Sequence, residues 1–311
     1  MRAGVNALTA IFVVGVLAGL ALTPDGRAWL RHPTLMLGDK AAASAPPVAP
    51  PTLAPRPAPI PAATPASAPR LVAVTPLDTR LAQGPLRIGV FGDSMADGLY
   101  AGLYRDLRDQ PNVTVIKFSQ VSTGLSRYDY VNIHARTQAQ LDETPVDVAV
   151  MLFGTNDAQG IDTGGTVHMF GTDGWKAAYG QRIDELVALL RSRDVAVYWV
   201  GLPRMKRDSF DDRMMLINGV VEARMRALGV PFIQTVELTS NAGGGYEAYL
   251  PNEAGRRVLM RANDGIHMSM AGYLRMSAPV AARLKRDAGL DRPRTEPGPV
   301  SAAAPPVSPA A

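Results

Sequence analysis

The chain contains no cysteine. That absence excludes a disulfide scaffold, a thiolate metal centre and a cysteine nucleophile, so any covalent chemistry falls to Ser, Thr, His, Lys or a carboxylate. The body also lacks an excess of charge. Of the net +4, all comes from residues 1–86, with seven Lys and Arg against three acids; residues 87–311 hold 25 of each sign. A neutral body does not make a phosphate-binding surface, and no nucleic-acid partner is expected. No Gly-Lys-Ser/Thr phosphate loop accompanies Gly243-Gly244-Gly245. His32, His134 and His168 have neither His nor carboxylate four residues on, so no metal and no other cofactor is expected.

What is present begins with an apolar run from Val5 to Leu22, broken only by Asn6 and Thr9. It is just long enough to cross a bilayer core, and residues 1–23 are expected to be a membrane anchor, or else a signal segment cleaved after Gly19-Leu20-Ala21. Arg27, Arg31 and Lys40 behind the run oppose export, although a long following domain translocates despite such flanks. Residues 44–70 hold 10 Pro and 8 Ala, a composition that forms an extended spacer rather than a core, reaching roughly 80 Å. The expected organisation is an N-terminal segment over 1–23, a Pro/Ala-rich linker over 24–85, a globular domain over 86–290 and a disordered Pro/Ala-rich tail over 291–311.

Within the domain, five short β-branched-rich runs read as strands: 87–91, 113–118, 146–153, 195–202 and 231–236. Helical stretches are expected over 96–109, 175–193, 210–228 and 269–288. Runs apolar on both faces and joined by helices imply a parallel sheet covered on two sides, an α/β sandwich whose ligand site lies beyond the carboxyl ends of the strands.

Three motifs stand at those ends. Gly92-Asp93-Ser94-Met95 follows the first strand, where Ser94 is either a helix cap or a nucleophile held beside backbone N–H groups. Gly154-Thr155-Asn156-Asp157 follows the third; Asn156 is either part of an Asx-type turn or a donor into the same crevice. Asp264-Gly265-Ile266-His267 precedes the last helix, where Asp264 either caps that helix or orients the imidazole through Nδ1. Their coincidence in one crevice favours chemistry over capping.

Together with Gly124 in Ser122-Thr123-Gly124-Leu125, these blocks resemble the SGNH, or GDSL-type, serine hydrolase family, in the right order over about residues 86–290. Trp175, the Trp199–Pro203 segment and Gly272 are most similar to a bacterial cell-envelope branch of it. Met95 stands where the family has Leu. The resemblance implies a flavodoxin-like three-layer α/β/α sandwich with a five-stranded parallel sheet. It also implies a triad of Ser94, His267 and Asp264, and an oxyanion hole of the Ser94 and Gly124 N–H groups and the Asn156 side chain. Asp93, Gly154 and Asp157 would support the turns. Gly124 also fits a loop glycine of positive φ.

The expected function is a serine esterase that removes short O-acyl groups, such as acetyl, from a cell-envelope glycan or a small ester. Its expected place is the periplasmic face of the bacterial inner membrane, or the periplasm after cleavage. An O-acyltransferase would use the same triad, and a non-catalytic glycan-binding module is the alternative from another class. Gly243–Gly245 with Tyr246 and Tyr249 could form a lid that stacks on sugar rings. Arg204, Lys206 and Arg207 either face an anionic polymer or form a solvated turn.

Overall fold

In the computed structural model, residues 73–291 are described. The expected N-terminal segment, most of the expected linker and all but Asp291 of the expected tail lie outside the described residues. Five parallel strands make the sheet: β1 (Leu86–Gly92), β2 (Val113–Lys117), β3 (Val148–Leu152), β6 (Ala196–Val200) and β7 (Phe232–Ile233), in the order β2-β1-β3-β6-β7. Every residue of β3 and of β6 is buried, as apolar strands covered on both faces must be. Two small antiparallel ribbons lie outside the sheet, β4 (Ile161–Asp162) with β5 (Val167–His168) and β8 (Tyr249–Pro251) with β9 (Arg257–Leu259).

The helices are α1 (Leu77–Gln83), α2 (Ser94–Leu107), α3 (Ile133–Glu143), α4 (Asp173–Ser192), α5 (Asp208–Leu228), α6 (Val236–Thr239) and α7 (Met270–Asp287). Helix α1 corrects the expected linker boundary at residue 85. Leu77 is buried, and Arg80 pairs with Asp147 and Asp194 at 3.5 and 2.8 Å. The Pro/Ala run upstream hid this short helix, which ties residues 75–83 to the domain. Helix α3 was also missed, because a single narrow stripe of Ile133, Thr137 and Leu141 faces inward from an otherwise polar segment.

Two features of the packing position the site. Because the strand order reverses direction between β1 and β3, the crevice beyond their ends is the topological switch point of the sheet. Gly92 pairs with Leu152 in register, so the two strands end level. Glycine is required at 92: its φ is +150°, and a Cβ there would lie 1.9 Å from the Leu152 carbonyl oxygen.

The second feature is a seam between α2 and α7. A Cβ on Gly98 would lie 2.0 Å from Tyr273 Cζ, and one on Gly102 would lie 2.6 Å from Ser277 Oγ. Two glycines four residues apart share one helix face and let the helices approach closely. The amino ends of α2, which starts at Ser94, and of α7, which starts just after His267, therefore stand side by side. Behind the seam the core includes Phe91, Trp175 and Trp199, all buried; each such side chain contributes on the order of 1.5–3 kcal/mol.

Candidate active site

Ser94 opens α2. Its cap residue, Asp93, accepts from Met95 N at 2.9 Å, so Ser94 does not serve as the cap and its hydroxyl is left for other partners. Ser94 Oγ lies 2.8 Å from His267 Nε2, and His267 Nδ1 lies 2.6 Å from Asp264 Oδ2. The other carboxylate oxygen, Asp264 Oδ1, accepts from Ile266 N at 2.9 Å and His267 N at 3.0 Å.

Partial burial alone would push the Asp264 carboxyl up. The hydrogen bond from the His267 ring, the two backbone N–H groups and the His267 charge outweigh it and hold the pKa at about 2. Asp264 is thus ionised at neutral pH and can only accept. It follows that Nδ1 carries the proton and Nε2 is the acceptor for the Ser94 hydroxyl. The arrangement is open to solvent, with side-chain exposures of 35% for His267 and 46% for Asp264.

Across the crevice, Asn156 donates one amide hydrogen to Thr123 O at 2.9 Å. That bond orients the amide and leaves its second hydrogen for a ligand. Among the described residues, no protein group accepts from the N–H of Ser94 or of Gly124. The structure therefore brings together Ser94, His267 and Asp264, and places the Gly124 and Asn156 loops at the same strand ends.

Of the two readings of Gly124, the loop glycine of positive φ does not hold: its φ is not positive, and a Cβ there would instead meet Asp157 Oδ1 at 2.2 Å. The positive φ belongs to Ser122, at 63°, a conformation that costs a non-glycine residue about 1–3 kcal/mol and recurs at functional loops. Arg127 Nη1 donates to the Ser122 carbonyl at 2.8 Å.

Two fully buried acids bind these turns together. Asp93 Oδ2 accepts from Thr155 Oγ1 at 2.6 Å, Thr155 N at 3.0 Å and Gly154 N at 3.3 Å, while its Oδ1 takes Met95 N. It thereby joins the turn after β1 to the turn after β3. Burial raises its pKa to about 6, against the lowering effect of these hydrogen bonds and with a further push from Asp157. Asp157 accepts from Ser126 N and Oγ at 2.8 and 2.9 Å and from Tyr179 OH at 2.8 Å. Its pKa is likewise raised, chiefly by burial. Gly154 has a φ of +139°, with Leu202 Cδ1 2.6 Å from where a Cβ would sit.

Thr155, Ser126 and Tyr179 were missed in the sequence. Thr155 lies inside a motif already singled out, whereas Tyr179 is recognisable only once α4 is seen to pack under Asp157. In the basic cluster after β6, Arg204 pairs with buried Asp211 at 3.1 Å, whereas Lys206 and Arg207 are exposed: the Lys206 backbone N donates to Gly265 O at 3.0 Å, and Arg207 lies 5.6 Å from the Phe210 ring centroid. Tyr246 is engaged by Arg261, 4.8 Å from its ring centroid, while Tyr249 on β8 is exposed. His168 Nε2 lies 2.8 Å from Thr163 Oγ1. Among the described residues, no group of acids and histidines could hold a metal ion, and no helix is long and apolar enough to cross a membrane.

The fold is a doubly wound parallel α/β sheet of flavodoxin-like strand order, with Ser94, His267 and Asp264 linked at its switch point. The chain belongs to the family described as "Protein of unknown function (DUF459)", which matches residues 87–283. No curated protein matches it.

Solved structures similar to it include a GDSL-like lipase from Bacteroides thetaiotaomicron, with 15% identity, 67% of this chain and 95% of that chain covered, and a TM-score of 0.44. An acetyl xylan esterase is 17% identical, with 65% and 98% covered and a TM-score of 0.44. A psychrotrophic esterase from Pseudoalteromonas sp. is 11% identical, with 66% and 96% covered and a TM-score of 0.42.

Proposed function

We propose that this chain is a serine ester hydrolase acting on short O-acyl groups of a cell-envelope glycan. The observation that carries the reading is the continuous hydrogen-bonded line from Ser94 through His267 to an ionised Asp264. In the proposed reaction Ser94 Oγ attacks the ester carbonyl and its proton passes to His267 Nε2. Asp264 holds the imidazole in the Nδ1–H form and stabilises the imidazolium. The carbonyl oxygen becomes an oxyanion held by the Ser94 and Gly124 N–H groups and the free Asn156 amide hydrogen. Collapse breaks the C–O bond, with His267 returning the proton to the leaving alcohol. Water, deprotonated by His267, then releases the acid and restores Ser94.

The glycan part of the reading is supported by a cleft of about 480 Å³ lined by Ser126, Tyr128, Asp129, Gln159, Asp162 and Arg182, among others. It begins two residues past Gly124 and three past Asn156. Its amide, carboxylates and hydroxyls suit a ligand rich in hydroxyl groups better than a long acyl chain. Water access at Asp264 and His267 favours hydrolysis over transfer to a sugar hydroxyl. The envelope location is proposed from Val5 to Leu22, which lies outside the described residues.

The test is acetate release from p-nitrophenyl acetate and from O-acetylated glycan by the full-length chain, beside Ser94→Ala, with labelling by a fluorophosphonate. Release and labelling that both vanish in Ser94→Ala support the reading. Labelling that survives the substitution refutes the nucleophile, and release that requires an added sugar acceptor identifies a transferase.

A further inference from the structure

Arg261 is completely buried, yet among the described residues no carboxylate forms a salt bridge with it. It stands between β9 and the Asp264–His267 loop, where residues 260–269 fold back on themselves. Ala262 N donates to His267 O at 2.9 Å, Ser269 N to Met260 O at 2.9 Å, and Arg261 bridges to Met268. Its guanidinium points into the turn it helps to close. Nη2 donates to Ile266 O at 2.8 Å and reaches Gly265 O at 3.5 Å; Nη1 donates to Arg204 O at 2.5 Å; Met205 Sδ lies 3.7 Å away. The Tyr246 ring covers it.

The carbonyls it grips are significant. The peptide unit that ends in Ile266 O is the one whose N–H, on His267, donates to Asp264 Oδ1. The unit that ends in Gly265 O likewise carries Ile266 N–H, the other donor to Asp264 Oδ1. Arg261 and the Asp264 carboxylate thus sit at opposite ends of the same two peptide groups. A cation at the C=O end polarises the N–H end, so the two donors to Asp264 are strengthened as well as aimed. The second anchor leads to the body of the domain: Met205 N donates to Asp211 at 2.6 Å, and Asp211 also binds Arg204.

Burying a guanidinium costs several kcal/mol, and a well-packed apolar residue of similar volume is often no less stabilising. Stability alone therefore does not account for Arg261. We propose that Arg261 is a positioning residue for the proposed hydrolysis, fixing Asp264, and through it His267, by way of the Gly265 and Ile266 peptide groups. The proposal rests on the serine-hydrolase reading of the site. Charged and titratable groups around the guanidinium are Arg204, Asp211, Tyr246, Asp264 and Tyr273.

The experiment compares Arg261→Lys and Arg261→Met with wild type and Ser94→Ala. Lysine keeps the charge but cannot reach Arg204 O and Ile266 O together in a planar fork. The expected result for Arg261→Lys is a fall in kcat of about 10- to 100-fold, the cost of a small misplacement of catalytic groups, with KM within about twofold of wild type. The acid limb of its kcat/KM profile moves to lower pH, because a slackened Asp264 stabilises the imidazolium less. The downfield His267 Hδ1 proton resonance moves upfield in both variants.

Unchanged kcat and an unchanged Hδ1 resonance, with only a lower melting temperature, would overturn the proposal. The resonance does not depend on turnover, so a wild type without Ser94-dependent activity defeats the hydrolase reading while still testing the Arg261–Asp264 linkage. Should both variants fail to fold, hydrogen exchange of the Arg261 guanidinium in wild type decides: protection at neutral pH is expected, and exchange as fast as that of an exposed arginine overturns the proposal.

Discussion

Asp93 and Asp264 are the same residue type, each within three residues of a proposed catalytic group, yet the protein treats them oppositely. Asp264 stands half in water and is held at a pKa of about 2 by the His267 ring and two N–H groups. Asp93 is sealed under the turns, and burial lifts it to about 6 in spite of four hydrogen bonds. The comparison teaches that hydrogen bonds alone do not settle a carboxyl's charge. Where solvent assists, they hold the carboxylate as an anion far below neutral pH, suited to steadying an imidazolium; where it does not, desolvation raises the pKa toward neutrality and the group serves the backbone.

Breaking the exposed side of that comparison has the largest expected effect. Asp264→Asn keeps the shape but permits the wrong imidazole tautomer, and kcat for ester hydrolysis should fall about 10⁴-fold with folding unchanged by circular dichroism. A fall of less than tenfold would show that His267 keeps its orientation without the carboxylate. Next, Asn156→Ala removes one oxyanion donor and should lower kcat about 10²- to 10³-fold. A change confined to KM would place Asn156 in ground-state binding instead.

The buried side gives a smaller effect with a defined sign. Asp93 has a folded pKa of about 6, above its unfolded value of 3.8, so the folded chain holds this proton between those values and the unfolded chain does not. Its contribution to stability is therefore fully present below about pH 4 and lost as pH rises through 6, amounting to about 3 kcal/mol. Urea unfolding from pH 4 to 7 should show that loss in wild type relative to Asp93→Asn. Asp264, with a depressed pKa, works in the other direction, contributing stability above pH 3.8 that is lost as pH falls through about 2. Parallel pH curves for wild type and Asp93→Asn would remove the contrast between the two acids.

The smallest expected change concerns the scaffold under both. Gly98→Ala forces a methyl against Tyr273, and thermal unfolding should register a loss of about 1–3 kcal/mol, accompanied by lower activity as the Ser94 and His267 ends of the helices are pried apart.

Much of this was readable in advance, and for identifiable reasons. The five sheet strands are rich in β-branched residues and flanked by turn residues, so each was located, although Phe232–Ile233 is shorter than the run that announced it. Two of the three chemical motifs were visible because they follow strands of the parallel sheet, whose carboxyl ends converge; Asp264 to His267 was visible as the turn before the last helix. The misses are of other kinds. Helix α3 exposes most of its surface, so its periodicity is faint. Gly124 was open to a conformational explanation, whereas the cause is a carboxylate arriving from a loop 33 residues away. Arg204 reads as part of a solvated turn because nothing in the sequence shows that Asp211 will meet it. Arg261 interrupts an apolar run, Val258-Leu259-Met260, and that interruption was the one local sign that a charge was to be buried.

The seam of α2 and α7 has a consequence in time as well as in space. All five strands of the sheet are complete by Ile233, and Ser94 precedes most of them, but His267 and Asp264 stand 173 and 170 residues after Ser94, on the loop that leads into α7. A partly synthesised chain can assemble its sheet and present a serine that has no proton acceptor. A chain that stops before Asp264 therefore keeps every strand of the sheet and Ser94 but lacks both partners in the proposed triad, and it should not hydrolyse esters.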